Sequence, residues 1–169
     1  MIIIIIIKLW MLDMKNYLFE LNVDDLKDSE KIFLWSIREW LLCIRLAKDP
    51  RKLLIDPMSK CRIQEAVMPL DKIMRTLAYF SSTPIDIRCH CSEQIGSNEI
   101  DLLCLLSIKQ SQMVFKIHKI IKYLKEDHLI QLNDYCKKLI ESFNRANLFF
   151  PVRKDLIASY NIFNQSKDT

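Results

Sequence analysis

The chain has 169 residues, of which 50% are apolar and 27% are charged, and its net charge is +4. This balance is typical of a folded globular protein, and a chain of this length can bury about 70% of the surface that its unfolded form exposes. It contains a single glycine. Because glycine supplies the turns of β-hairpins and the loops that hold nucleotide phosphates, the composition argues against β-rich folds and against glycine-loop nucleotide sites. Helices are favoured.

The chain begins with an apolar segment in which residues 2–7 are all isoleucine. A secretory signal has positive charge before its apolar run and small residues after it, and a membrane-spanning helix needs about 20 apolar residues. Neither pattern is present, so no integral membrane insertion is expected. Met11 and Met14 offer alternative starts. We therefore expect residues 1–14 to contribute little to the fold, with a native start that can lie downstream of Met1.

The first long helix is predicted to begin at the acidic cluster 28–30, because Ser and Asp cap helices and acidic side chains favour the first turn. Apolar residues cover more than half of its circumference, which indicates a helix buried in a bundle. On this pattern Trp35 and Trp40 are interpreted as core residues, and Arg38 is assigned to the polar stripe.

Prolines and helical spacing divide the rest of the chain. Pro50 is predicted to end the first helix and Pro57 to start the next one. Three further helical patterns follow the middle of the chain, beginning near Ser97, Met113 and Glu126. Each repeats apolar residues at the spacing of a core-facing helix.

The predicted fold is all-α, a compact bundle of five to six helices with a central irregular loop around residues 83–96. We expect residues 15–158 to form a single helical domain and residues 159–169 to be a polar tail. Within the loop, Gly96 is predicted to allow a turn before a helix that Ser97 caps.

The central loop contains Cys89, His90 and Cys91. Thiolate and imidazole are preferred zinc ligands. One residue between the cysteines is closer than structural zinc pairs usually have, and no second pair appears at a matching spacing. We therefore expect no cofactor, with zinc as the alternative. The other possible ligands are Cys61, Cys104, His118 and His128.

The same two cysteines could instead form a dithiol switch, since neighbouring thiols exchange when one has a lowered pKa. Arg88 and the helix N-terminus near Ser97 favour a thiolate. Against this, one intervening residue makes a small disulfide ring, and no thioredoxin-like pattern surrounds it. Six cysteines without an export signal indicate reduced thiols and a cytoplasmic protein.

Basic residues are concentrated in the C-terminal half. Residues 102–154 carry 10 basic and 4 acidic side chains, against 14 and 15 in residues 1–101. If residues 109–125 were helical, several lysines would share a solvent face that could neutralise phosphates. A solvated face without a ligand is the plainer alternative, because no nucleic-acid-binding signature is present. The lysines are Lys109, Lys116, Lys119, Lys122 and Lys125, which Arg145, Arg153 and Lys154 could extend.

Enzyme signatures such as a phosphate loop, a nucleophile elbow or a His-Glu-x-x-His zinc motif are absent from the sequence. By elimination we expect a small intracellular, non-enzymatic protein-interaction or regulatory module, with a protein partner or a second copy of itself. The alternative is a nucleic-acid-associated protein that uses the basic face at 109–125. The third hypothesis is a metal or thiol-redox protein centred on Cys89, His90 and Cys91.

Overall fold

The computed structural model describes residues 21–154, 156–158 and 160, so the expectations for residues 1–14 and for most of the tail lie outside it. The described part contains five α-helices and further helical residues within 154–160, and it has no β-strand. The prediction of an all-α bundle of five to six helices is confirmed. The helices are α1 (Asp28–Arg45), α2 (Pro50–Lys60), α3 (Val67–Phe80), α4 (Ser97–Gln110) and α5 (Glu126–Arg145). Among them, none has the length and hydropathy needed to cross a membrane.

Helices α3 and α5 pack along each other in opposite directions. The ring of Phe80 at the end of α3 stacks on His128 at the start of α5, with 3.8 Å between ring centroids. At the other end, Arg145 of α5 forms an ion pair with Glu65, just before α3. These contacts bring the end of α3 beside the start of α5 and the start of α3 beside the end of α5, so the two helices are antiparallel.

Helix α4 is buried on most of its circumference, with ten buried residues among its fourteen. Its last residue, Gln110, is bonded to the chain around the end of α5. The Gln110 amide donates to Asn144 Oδ1 at 2.6 Å and to the Leu148 carbonyl at 2.9 Å, and its oxygen accepts from the Phe150 amide at 2.6 Å. A helix so enclosed must pair its polar side chains internally, because unpaired buried polar groups are costly.

Two expectations for α1 and α2 are corrected. The Asp49 carboxylate accepts a hydrogen bond from the Arg51 amide at 3.0 Å, so Asp49 caps α2 and Pro50 is its first residue. Proline suits that position because its missing N–H would have no partner there. Pro57 lies inside α2 and does not start a helix.

The tryptophans of α1 differ from each other. Trp40 is buried as expected and donates its indole N–H to Asp71 Oδ1 at 2.8 Å. Trp35 remains 38% exposed, and its assignment to the core was wrong. The helix is therefore less enclosed than its apolar content indicates, because part of that apolar surface faces solvent.

The helix predicted from Met113 onward is also absent. Within residues 111–125 the structure has one 3-10 turn, Ile117–Lys119, and otherwise irregular backbone. The apolar residues Ile120 and Ile121 are nevertheless buried. Here the helical spacing reflects side chains that reach the core from an irregular segment, and tertiary packing overrides the local pattern.

Asp101 on α4 lies in a largely enclosed site, where it accepts hydrogen bonds from the Tyr160 hydroxyl and from the Asn98 side-chain amide. Burial raises the pKa of Asp101 to about 6, and these hydrogen bonds oppose the rise. An unfolded aspartate has a pKa of about 3.9. Because the folded state binds the proton more tightly, the free energy of unfolding falls as the pH rises from about 4 through about 6.

We predict that the free energy of unfolding of the wild type falls by about 2 kcal/mol between about pH 4.5 and pH 7, relative to Asp101→Asn, which has no proton to lose. Urea denaturation at a series of pH values measures this difference. Tyr160→Phe removes a hydrogen bond that favours the carboxylate, so its dependence should be steeper. If the free energy of unfolding depended on pH equally in the wild type and in Asp101→Asn, the raised pKa of Asp101 would be contradicted.

Candidate functional site

The loop between α3 and α4 is anchored by an ion pair between two helices. Arg38 of α1 donates from Nε to Glu99 Oε1 at 2.8 Å and from Nη2 to Oε2 at 2.9 Å. Both side chains are buried, with 4% of the arginine and 0% of the glutamate exposed. Arg38 was assigned to the polar stripe of α1, but the structure buries its side chain. The two-point geometry is the strongest form of such a pair.

Loop backbone groups provide further hydrogen bonds to this ion pair. Arg38 also donates to the carbonyl oxygens of Ser92 at 2.8 Å and Gln94 at 2.9 Å. The carboxylate of the pair accepts from the amides of Arg88 at 3.1 Å and Gly96 at 2.6 Å. Four backbone groups of the loop are thus bonded to one buried ion pair, which fixes the path of the chain on both sides of the cysteines.

Asp86 provides a second anchor at the start of α4. Its carboxylate accepts from the Ser97 amide at 2.9 Å, and its own amide donates to Asn98 Oδ1 at 2.6 Å. Ser97 is therefore the first residue of α4 and not its cap, and Gly96 occupies the cap position. A Cβ on Gly96 would lie 2.4 Å from the Asp86 carbonyl oxygen. Glycine is required here for close approach, since its φ is −72° and any residue adopts that value.

Cys89, His90 and Cys91 lie exposed at the tip of this anchored loop. The structure joins the two cysteines in a disulfide, with 5.4 Å between their Cα atoms. His90 Nε2 lies 2.9 Å from Glu39 Oε2, and the His90 ring centroid is 6.3 Å from that of Trp35. The tip therefore rests against the half-exposed side of α1.

The expectation of reduced thiols describes four of the six cysteines. Cys43, Cys61, Cys104 and Cys136 are free. Burial raises the pKa of Cys104 and of Cys136 to about 12. These two are protonated and pack as small apolar residues of the core.

The additional zinc ligands considered from the sequence are not assembled around the loop. His128 lies at the start of α5, stacked on Phe80, and Cys104 lies in the core. Over the residues that the structure describes, no group of three or more His, Cys, Asp or Glu side chains is placed to hold a metal ion. In the disulfide form, the sulfurs of Cys89 and Cys91 are not thiolates, which are the form that zinc binds.

Arg88 was expected to favour a thiolate at Cys89, but it pairs with another group. Its Nε lies 3.1 Å from Asp86 Oδ1. The positive charge is therefore partly neutralised by a neighbour that also anchors α4. Electrostatic activation of Cys89 by this arginine is correspondingly weaker.

The lysines at 109–125 do not share one helix. Lys109 lies in the last turn of α4, and the other four belong to the irregular segment before α5. Arg145 and Arg153 form ion pairs with Glu65 and Glu30, respectively. The single helical face predicted from the sequence was therefore wrong, and these two arginines are bound to carboxylates. The exposed lysines of the segment are Lys116, Lys122 and Lys125, whereas Lys109 and Lys119 are half-buried.

The ion pair between Arg38 and Glu99 and the contact between His90 and Glu39 were not predicted from the sequence. The sequence does carry a signal for the ion pair. Arg38 lies within one apolar helix and Glu99 is the third residue of another, and charged side chains buried in such helices require partners.

Comparison with known proteins returns no match to the chain among protein-family models, curated proteins or solved structures.

We predict that Arg38→Met and Glu99→Gln each lower the free energy of unfolding by about 3–5 kcal/mol, because each leaves buried polar groups without their partners. Chemical denaturation measures the loss. The double variant Arg38→Met/Glu99→Gln should lose less free energy of unfolding than the sum of the two single changes, because no buried charge is left unpaired.

The control is Asp134→Asn, which breaks an exposed pair with Lys138 on α5. That change should lower the free energy of unfolding by less than about 1 kcal/mol. Equal losses for the buried and exposed pairs would contradict the central place given to Arg38 and Glu99.

Proposed function

We propose that the protein is a small, non-enzymatic regulatory module in which Cys89 and Cys91 act as a thiol–disulfide switch. The observation that carries the proposal is the exposed cysteine pair on a loop whose base is fixed by the buried Arg38–Glu99 pair. Exposure admits small thiols and disulfides, and the fixed base keeps the two sulfurs close in the reduced form. Both conditions favour reversible exchange.

The proposed reaction is exchange with a low-molecular-weight disulfide of the glutathione type. The thiolate of one cysteine attacks the disulfide, forms a mixed disulfide and releases one small thiolate. The second cysteine then attacks the protein sulfur of the mixed disulfide and releases the other. The two protons lost by the protein thiols are taken up by the two released thiolates, so the small disulfide is reduced and the cysteine pair is oxidised. We place this exchange in the cytoplasm, where such thiols are abundant.

The proposed output is a local change on the surface of α1. His90 lies between the two cysteines, so closing or opening the disulfide changes the constraint on its backbone. Its side chain contacts Glu39 and lies beside Trp35. Because the rest of the loop is held by Arg38, the change stays at the tip. We propose that a protein partner contacting this side of α1 distinguishes the two states.

We predict that Cys89 and Cys91 oxidise together when the protein is equilibrated in buffers of increasing glutathione disulfide to glutathione ratio. Alkylation followed by mass spectrometry should show the loss of two labelled thiols in one step. Cys89→Ser and Cys91→Ser should each give only a mixed disulfide with glutathione. The half-buried Cys61 provides the control, since Cys61→Ser should leave the transition unchanged.

Tryptophan fluorescence measures the proposed output, because His90 lies beside Trp35. Its emission should change with the same midpoint as the alkylation, and Trp35→Phe should remove the change. If Cys89 and Cys91 both remain open to alkylation at every ratio of glutathione disulfide to glutathione, the proposal of a thiol–disulfide switch is wrong. If they oxidise without any change at Trp35, the proposed output on α1 is wrong.

A further inference from the structure

We propose that the irregular segment after α4 is a peripheral membrane-binding surface for anionic lipid bilayers. Its apolar apex, Met113 and Val114, would enter the boundary between headgroups and acyl chains, and the lysines around the apex would bind lipid phosphates. We call this surface, formed by Lys109 and residues 113–119, the basic tip. It is separate from the cysteine loop, and the inference does not depend on the switch proposed there.

The apolar apex lies where the chain sharply reverses its direction. Helix α4 ends at Gln110, and Gln112 adopts a positive φ of 57°. The Met113 amide bonds back to the Ile108 carbonyl at 3.1 Å, which fixes the turn. Val114 is then fully exposed, and Met113 is 44% exposed. Two adjacent aliphatic side chains at the apex of a loop gain free energy by leaving water.

Positively charged lysines flank the apolar apex on both sides. Lys109 lies at the base of the turn, where its carbonyl accepts from the Gln112 amide at 3.2 Å. Lys116 and Lys119 follow the apolar apex, and the Lys119 amide donates a backbone hydrogen bond to the Lys116 carbonyl at 2.9 Å. The sequence from 102 to 125 contains no aspartate or glutamate. An anionic membrane surface attracts such a cluster, and each contributing lysine strengthens binding by about fivefold.

The segment has a firm base despite its lack of helix. Ile120 and Ile121 are buried, and Leu124 is 8% exposed. The Ser82 amide donates to the Tyr123 carbonyl at 2.9 Å, which ties the segment to the end of α3. Because the base is packed on the core, the basic tip needs little ordering when it binds, and less binding free energy is lost to conformational entropy.

The apolar apex favours a membrane over a nucleic acid. Single-stranded nucleic acids bind to surfaces that combine lysines with exposed aromatic rings, on which bases stack. The apex of the basic tip is aliphatic, and its aromatic neighbour Phe115 is half-buried. Aliphatic side chains surrounded by lysines match the layered chemistry of a bilayer, with acyl chains beneath anionic headgroups.

The test is co-sedimentation of the full chain with vesicles of phosphatidylcholine containing about one-third phosphatidylserine, compared with phosphatidylcholine alone. The wild type should bind the anionic vesicles and be released by high salt. Val114→Glu should weaken binding by about tenfold, since the valine side chain no longer enters the bilayer and a negative charge is added. Lys116→Gln and Lys119→Gln should each weaken it by about fivefold.

Matched controls come from α5, where Ile130 is an exposed aliphatic residue and Lys137 is an exposed lysine. Ile130→Glu and Lys137→Gln should leave vesicle binding within about twofold of the wild type, because neither residue belongs to the basic tip. Circular dichroism of every variant confirms that the helices are retained.

Three results would overturn the proposal. The wild type could fail to bind anionic vesicles. Binding could be unaffected by Val114→Glu and by the lysine changes, which would assign it to another part of the chain, such as the apolar residues 2–7. Alternatively, the lysine changes could weaken retention of single-stranded or duplex DNA while vesicles are not bound, which would make the segment a nucleic-acid surface.

Discussion

The buried ion pair between Arg38 and Glu99 is the constraint on which the middle of the molecule depends. Removing two charges from water is costly, and such a pair is tolerated only when every hydrogen-bonding group is satisfied. Here four backbone groups of the loop add hydrogen bonds to those that the two side chains make with each other. The fold of the loop and the burial of the pair therefore require each other. Displacing the loop would leave a charged pair unsatisfied between α1 and α4.

This arrangement separates a fixed base from an exposed tip. Within residues 86–97, the segments on either side of the cysteines are bonded to buried or helical groups, whereas Cys89 and Cys91 reach solvent. In the proposed switch, a chemical change at the tip would alter the contact of His90 with Glu39 without unfolding the bundle. The segment after α4 follows the same principle, since buried Ile120 and Ile121 support an exposed apex. In both places a few groups of an irregular segment are anchored in the core.

The fold class was predictable from the sequence because it depends on apolar spacing, which is local. The helical pattern from Ser97 to Ile108 corresponds to the buried helix α4. The same reasoning failed at Met113, where apolar side chains reach the core without helical backbone. It also failed at Arg38, because the partner lies 61 residues away in sequence and a helical wheel carries no information about such distant contacts. The cysteine loop was identified from its residue types, whereas its contact with α1 depends on tertiary structure.

The most direct test of the central claim is native-state hydrogen exchange at the amides of Arg88 and Gly96. Both amides donate to the buried Glu99 carboxylate, although they belong to a loop without regular secondary structure. If the ion pair anchors the loop, both should exchange slowly, with protection close to that of the α4 core amides, and Arg38→Met should abolish that protection. Rapid exchange in the wild type, at the rate of an unstructured peptide, would contradict the claim that this pair organises the loop.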